Sequence, residues 1–135
     1  MAFTGNYTCN SFKSGLIDGD FDFDTDTFKI ALYTNDATLN ADTAAYTTSG
    51  EVSATGYTAG GNELTVSKGV TNGTAFITFT DSSWSAAITS RGALIYKDGG
   101  AAVCVLDFGS DKTSTTTFTV DFPTASSTDA LIRLS

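Results

Sequence analysis

The hydrophobic pattern of the chain is strongest between Arg91 and Phe108, where two apolar runs flank a short polar turn. The runs cover residues 93–96 and 101–108, and residues 97–100 between them read Lys-Asp-Gly-Gly. Asp-Gly and Gly-Gly tolerate the positive φ that tight hairpin turns require, so this stretch predicts a β-hairpin. Neither arm alternates between apolar and polar residues, and strands that are apolar on both faces are normally covered on both. We therefore expect this hairpin to be central to a sheet.

Shorter runs on either side of the hairpin predict further strands, several of them with alternating apolar residues. Together with the hairpin arms, the predicted strands cover residues 27–34, 51–59, 62–70, 74–80, 93–96, 101–108, 115–122 and 130–134. Pro123 ends one of them because it has no N–H to donate. About eight short strands at this spacing are typical of a sandwich or a barrel. We expect a single all-β domain over residues 1–135, a β-sandwich of jelly-roll-like or immunoglobulin-like type.

Two stretches depart from the strand pattern. Residues 9–17 predict a helix of one or two turns, with Asn10 or Ser11 as the N-cap and Gly19 as the residue that ends it. Residues 35–50 are polar, rich in Thr and Ala and without a period. They form the longest predicted loop, and long loops in compact domains tend to be functional or mobile.

Composition and charge narrow the class of protein. The chain has 135 residues, 41% of them hydrophobic, and a formal net charge of −8. Thr and aromatic residues favour strands, whereas good helix formers are scarce. The seven Lys and Arg residues are scattered singly, which argues against nucleic-acid binding because phosphate backbones demand clustered cations. The acidity keeps like molecules apart in solution.

Cysteine and histidine usage excludes the commonest zinc sites. The chain has no His, and its two cysteines, Cys9 and Cys104, lie far apart with no metal-binding spacing. Cys104 falls in the second arm of the hairpin, where we expect a small core residue. The N-terminal segment has no basic-then-apolar pattern, and no apolar run approaches the length of a membrane span. We therefore expect neither a signal peptide nor a membrane anchor.

An aspartate at every second position is the sharpest local feature of the chain. If the segment is extended, the five carboxylates share one face and Phe21 and Phe23 lie on the other. Hard oxygen ligands at this density are candidates for Ca²⁺, and the five are Asp18, Asp20, Asp22, Asp24 and Asp26. An EF-hand counted from Asp18 fails, because its sixth position is Phe23 and its twelfth is Lys29. The alternative is a solvated acidic strand or turn that discourages edge pairing.

Enzyme motifs are incomplete, and we expect no enzyme. A nucleophile–His pair needs a His, residues 107–109 spell the kinase Asp-Phe-Gly triplet without its companion motifs, and residues 56–61 lack the ending of a P-loop. Glu51, Asp107 and Asp111 could converge as the carboxylates of a glycosidase. Such enzymes usually need a larger scaffold to hold a cleft, so we favour the alternative that these three carboxylates are surface charges without a catalytic role.

Three aromatic residues, Tyr57, Trp84 and Tyr96, could form a platform for stacking sugars. The alternative, which we favour, is packing in the core or at a subunit interface, because large aromatic residues dominate both.

Several segments, taken in order, resemble a family of small proteins of about this length among the structural genes of tailed bacteriophages. They are residues 10–13, 24–32, 51–61, 91–97, 107–109 and 131–135. The similarity spans nearly the whole chain. It implies a virion protein, with head decoration the commonest suggestion, and it brings no catalytic or binding residues.

The resemblance and the acidic composition together predict a non-enzymatic capsid decoration or cement protein. We expect it to be made in the host cytoplasm, to bind the outer face of the major capsid protein, and to form a homo-oligomer with a trimer favoured. We expect no cofactor other than the calcium considered above, no nucleic acid and no membrane. The alternatives are a tail, neck or fibre component, or a carbohydrate-binding module.

Overall fold

The computed structural model describes residues 3–135 and is mostly β-structure with one short helix. The elements are β1 Tyr7–Thr8, α1 Asn10–Asp18, β2 Phe28–Tyr33, β3 Asn62–Leu64, β4 Val66–Thr71, β5 Thr74–Phe79, β6 Ser82–Trp84, β7 Thr89–Lys97, β8 Ala102–Thr113, β9 Phe118–Val120 and β10 Ile132–Leu134. They form a five-stranded sheet in the order β1-β8-β7-β2-β3, a three-stranded sheet β10-β5-β4 and a pair β6-β9. All neighbouring strands are antiparallel.

The hairpin β7–β8 is central to the five-stranded sheet, as the sequence predicts. β7 lies between β8 and β2, and β8 lies between β7 and β1. Consecutive side chains of β7 enter two different clusters: Ile95 lies in a larger core and Leu94 in a smaller one. Cys104 and Val105 of β8, which pair with Ile95 and Leu94, are divided in the same way. The sheet is therefore covered on both faces, which explains why neither arm alternates in polarity.

The larger core lies between the sheets and draws side chains from all three of them, including Ile30 of β2, Phe79 of β5 and Trp84 of β6. The smaller core covers the opposite face of the five-stranded sheet with side chains from outside it, among them Phe3 and Leu39. The five-stranded sheet thus lies between the two cores and contributes side chains to both.

The prediction of a strand over residues 51–59 is wrong. Glu51 makes an isolated bridge with Tyr33, and the chain then turns. The hydroxyl of Tyr57 accepts a hydrogen bond of 3.0 Å from the N–H of Leu32. A side chain therefore occupies a position along β2 that a neighbouring strand would otherwise take, which removes the need for a strand here.

Other strands differ in extent from their predictions: β7 and β8 extend beyond the predicted arms of the hairpin, and β10 is shorter than predicted. The run predicted over residues 62–70 divides at Thr65 into β3 and β4, which belong to different sheets. The run over residues 115–122 shortens to the three residues of β9. The short strands β1 and β6 are not among the predicted strands, and with them there are ten strands within residues 3–135 rather than about eight.

Helix α1 has the predicted end but not the predicted start. Cys9 is the N-cap and makes no side-chain capping bond. Asn10 and Ser11, the predicted caps, are used elsewhere: Asn10 donates to Asp42 at 2.9 Å, and the Ser11 hydroxyl donates to a carbonyl of β8 at 2.8 Å. Gly19 ends the helix at a φ of 77°, in the left-handed region that glycine tolerates. Within residues 3–135 no helix has the length and hydrophobicity needed to cross a bilayer.

The loop predicted over residues 35–50 is confirmed, since it holds no helix or strand beyond a bridge between Ala45 and Ala101. Its backbone is nevertheless anchored, because Ala37 and Leu39 are buried in the smaller core. The loop therefore covers part of one face of the five-stranded sheet.

Candidate interaction surface

The aspartate segment is not extended, so its five carboxylates do not have the shared face that an extended segment would give them; of the alternatives, the structure shows a turn. Asp18 is the last residue of α1, and the N–H of Asp26 donates to the carbonyl of Asp22 at 2.9 Å in a turn. The carboxylate of Asp22 accepts from the N–H of Asp24 at 2.9 Å, and that of Asp26 accepts from the N–H of Asp22 at 2.8 Å. Aspartates that bind nearby backbone N–H groups favour turns over strands. The Asp24 N–H is also the main reason why the pKa of Asp22 is lowered.

The phenylalanines of this turn hold it against the larger core. Phe21 packs on Phe12 with ring centroids 5.0 Å apart, and Phe23 stacks on Phe28 at 4.5 Å. Within the described residues, no three Asp, Glu, Cys or His side chains come close enough to hold a metal ion together. Calcium binding at these aspartates stays a prediction.

Glu51 is the centre of a hydrogen-bond network that ties loops to the large sheet. Its carboxylate accepts from the hydroxyls of Tyr46 at 2.6 Å and Tyr57 at 2.7 Å and from the N–H of Gly60 at 2.8 Å. Tyr96 donates to the carbonyl of Gly60 at 2.6 Å and stacks on Tyr46. Burial and the neighbouring carboxylate raise the pKa of Tyr57. Glu51 thus holds the chain together rather than facing an open cleft.

Asp107, the second candidate carboxylate of a glycosidase, forms an ion pair with Arg91 in which both side chains are largely buried. It also accepts a hydrogen bond from the N–H of Gly109 at 2.8 Å. Asp111 is exposed at the far end of β8. The structure does not gather these two residues and Glu51 into one group of the described chain.

The three aromatic residues considered as a sugar platform are buried, so core packing is confirmed. Tyr57 and Trp84 stack in the larger core with centroids 6.1 Å apart. Tyr96 lies in the smaller core, against Tyr46 at 4.9 Å. An open cleft of about 460 Å³ does lie beside Tyr46 and Tyr96, where Lys29 also contributes to its wall.

The two cysteines are buried and form no disulfide. Burial raises the pKa of the Cys9 thiol to about 11 and raises the pKa of Cys104 as well. Both are therefore neutral thiols that serve as core residues, as predicted for Cys104.

The exposed apolar surface is concentrated on the three-stranded sheet. Val70 is 72% exposed and Leu134 is 51% exposed. Both lie directly opposite Ala75, because Val70 pairs with Ala75 across β4–β5 and Leu134 pairs with Ala75 across β5–β10. Directly opposite residues share a face of a sheet, so these three form a continuous strip, here called the apolar row. Ile17, at 88% exposure, is the other large exposed apolar side chain among residues 3–135 and lies on α1.

The apolar row continues the buried face of this sheet beyond the core. Ile77 and Ile132 pair with each other one step nearer the core, and both pack against it. The hairpin β4–β5 projects past this point through a two-residue turn at Asn72 and Gly73, whose φ values are 53° and 79°. Positive φ at both positions is the signature of the tight hairpin turn that keeps two strands in register.

Strand β4 also presents a free backbone edge. It pairs with β5 on one side, and no other strand within residues 3–135 pairs with it. The N–H of Thr80 donates to the carbonyl of Thr65 at 3.0 Å, so in this register the odd positions of β4 are bonded to β5. Backbone direction alternates along a strand, and Val66, Lys68 and Val70 therefore direct their N–H and C=O groups outward. Free edges of this kind are templates for pairing with another chain.

Alternation alone did not reveal this surface. Val70 and Leu134 occupy positions whose pattern predicts the buried face, and their exposure arises because the core ends before the strands do.

Comparison with protein-family models, with curated proteins and with solved structures finds no match for this chain.

Proposed function

We propose that this protein is a structural component of a bacteriophage virion, a decoration or cement protein that binds the outer face of the major capsid protein. The observation that carries the proposal is the apolar row, which lies exposed on the three-stranded sheet. The resemblance of the sequence to phage structural proteins supplies the kind of assembly. The candidate catalytic carboxylates Glu51 and Asp107 are engaged in internal contacts, which favours a binding role.

The surface has the composition that protein interfaces use. Their centres are apolar and depleted of charge, and their rims are polar. Val70, Ala75 and Leu134 would supply the centre, while Lys68, two residues from Val70 on the same face of β4, lies beside them at the rim. Stable interfaces bury about 1,600 Å² in total, so the row would be the anchor of a larger contact.

The architecture that best supports this role is a β-sandwich. Phe28 and Ile30 of the five-stranded sheet share the larger core with Phe79 and Ile132 of the three-stranded sheet. Two sheets that face each other across one core make a sandwich, and we propose a jelly-roll-like or immunoglobulin-like arrangement.

The direct test is the protein inventory of purified virions of the phage that encodes this chain. Quantitative mass spectrometry is expected to find it in a fixed ratio to the major capsid protein. Virions that lack it altogether would overturn the proposal. Immunogold labelling separates the head from the runner-up location in the tail, neck or fibres.

A carbohydrate-binding module is the second candidate, and the open cleft beside Tyr46 and Tyr96 is the observation that favours it. Calorimetric titration with a panel of glycans, with and without calcium, tests this function. Binding that is lost in Tyr46→Ala would support it, with Tyr7→Ala as the control on another surface. A featureless titration would count against it.

A further inference from the structure

We propose that the edge of β4 pairs with β4 of a second copy of the chain, antiparallel and about a twofold axis at Lys68. The pairing would extend the three-stranded sheet through both copies. It depends on the geometry of β4 and stands independently of the virion assignment. Its symmetry is twofold, so it differs from the trimer favoured from the sequence.

The backbone of β4 is suited to this register. The three outward-directed residues are Val66, Lys68 and Val70, and Lys68 is the middle one. Antiparallel pairing about Lys68 places each of the three opposite another outward-directed residue: Lys68 opposite its own copy, and Val66 opposite the second copy's Val70. Every outward N–H and C=O of the strand then finds a partner.

The side chains of β4 are self-complementary in the same register. The sequence from Val66 to Val70 reads Val-Ser-Lys-Gly-Val, so it has valines at both ends and small residues on either side of the lysine. Exposed Val70 gains an apolar neighbour from the second copy, and Ser67 meets Gly69 without a steric clash. Cross-strand apolar pairs stabilise antiparallel sheets.

The charge at the centre of the pairing is already compensated. Two lysines face each other there, but Lys68 forms a salt bridge of 2.9 Å with Asp24 of its own chain. The twofold axis therefore brings together two ion pairs instead of two isolated ammonium groups. A lysine on an edge strand otherwise discourages edge pairing, and its partner here removes much of that effect.

The first test is the solution mass of the protein by light scattering over a range of concentrations. One strand pair is a small interface, so the mass is expected to rise from one chain to two with concentration rather than to stay at two. In Lys68→Pro, which lacks the outward N–H but keeps the bonds from β4 to β5, the mass is expected to stay at one chain. Lys68→Thr retains the backbone donor and is the matched control.

A cross-linking experiment tests the register and does not depend on whether the proline variant folds. In this register two copies of Lys68→Cys bring their Cα atoms about 5.5 Å apart, within the reach of a disulfide. Two copies of Val70→Cys would be about 14 Å apart, although position 70 is the more exposed. Under mild oxidation Lys68→Cys is expected to cross-link at least tenfold faster than Val70→Cys. The native cysteines are buried and do not compete.

Several outcomes would overturn the proposal. A single-chain mass at every concentration, a trimer, or a dimer that persists in folded Lys68→Pro would each do so. Equal cross-linking rates for the two cysteine variants would exclude the register.

Discussion

At the scale of single residues, Glu51 is the side chain whose role is least visible in the sequence. It is one of fifteen acidic residues, and nothing in its neighbourhood sets it apart from a surface charge. In the structure it accepts hydrogen bonds from Tyr46, Tyr57 and Gly60. Tyrosine hydroxyls find such partners when their rings are buried, but which partner they find is decided by the tertiary fold.

Glu51→Gln is expected to lower the free energy of unfolding by about 2–3 kcal/mol, because an amide group replaces charged acceptors with a weaker acceptor and an extra donor. Urea denaturation monitored by tryptophan fluorescence measures the change. Glu63→Gln, at an exposed position on β3, is the matched control and is expected to change little. Equal effects in the two variants would show that the network contributes nothing to stability.

Buried cysteine and tyrosine side chains predict a loss of stability at alkaline pH. Burial raises the pKa of Cys9 from 9.0 to about 11 and the pKa of Tyr96 from 10.0 to about 12. In the unfolded chain these groups ionise near their ordinary values, while in the folded chain they stay neutral, so the unfolded state binds fewer protons. The free energy of unfolding should therefore be insensitive to these groups below pH 9 and fall from there upward.

Urea titrations at a series of pH values, with tyrosinate absorbance as a second probe, follow this effect. Tyr33, Tyr46 and Tyr57 add to it, since burial raises the pKa of each. A free energy of unfolding that is unchanged up to pH 11 would contradict the assignment of these side chains to the interior.

At the scale of elements, the sequence predicts secondary structure best where the apolar pattern of a single segment is enough to place that segment in the sheet. The two-faced apolar pattern of residues 93–96 placed the central hairpin correctly. Residues 51–59 were mistaken for a strand because Tyr57 turns its hydroxyl to the backbone of β2, which is a long-range contact. The sequence leaves open whether the aspartate segment is a strand or a turn, because period-two spacing does not reveal which aspartates will bind backbone N–H groups. The apolar row depends on where the core ends, so spacing cannot identify it.

A glycine at one element junction shows how closely the chain is packed. A Cβ at Gly61 would lie 1.7 Å from the carbonyl oxygen of Ile30 in β2. Gly73 has the same φ of 79°, but its Cβ would meet nothing within 4 Å. The two positions therefore share the backbone strain and differ in the clash.

Gly73→Ala is expected to cost about 1–2 kcal/mol, the usual cost of a left-handed conformation for a residue with a Cβ. Gly61→Ala is expected to cost several kcal/mol more, enough to abolish folding of a marginally stable domain. Thermal unfolding of the two variants, followed by circular dichroism, compares them directly. Similar melting temperatures would contradict the close approach of Gly61 to β2.

At the scale of the whole molecule, the net charge of −8 opposes any self-association, while the β4 edge favours it. Salt screens repulsion between like-charged molecules and leaves backbone pairing largely intact. The dimer proposed here should consequently become stronger as ionic strength rises. Light scattering at low and high sodium chloride tests this, and a dimer that dissociates in salt would show that attractive ion pairs hold it together.

The measurement that tests the central claim most directly is co-sedimentation of the protein with phage particles that lack it. Val70→Asp and Leu134→Asp place carboxylates in the apolar row, and Ile17→Asp is the matched control on the other exposed apolar residue. We expect the wild type and Ile17→Asp to bind equally and the two row variants to bind at least tenfold more weakly, with all four folded by circular dichroism. Equal binding by the row variants, or loss of binding only in Ile17→Asp, would contradict the assignment of the three-stranded sheet as the interaction surface.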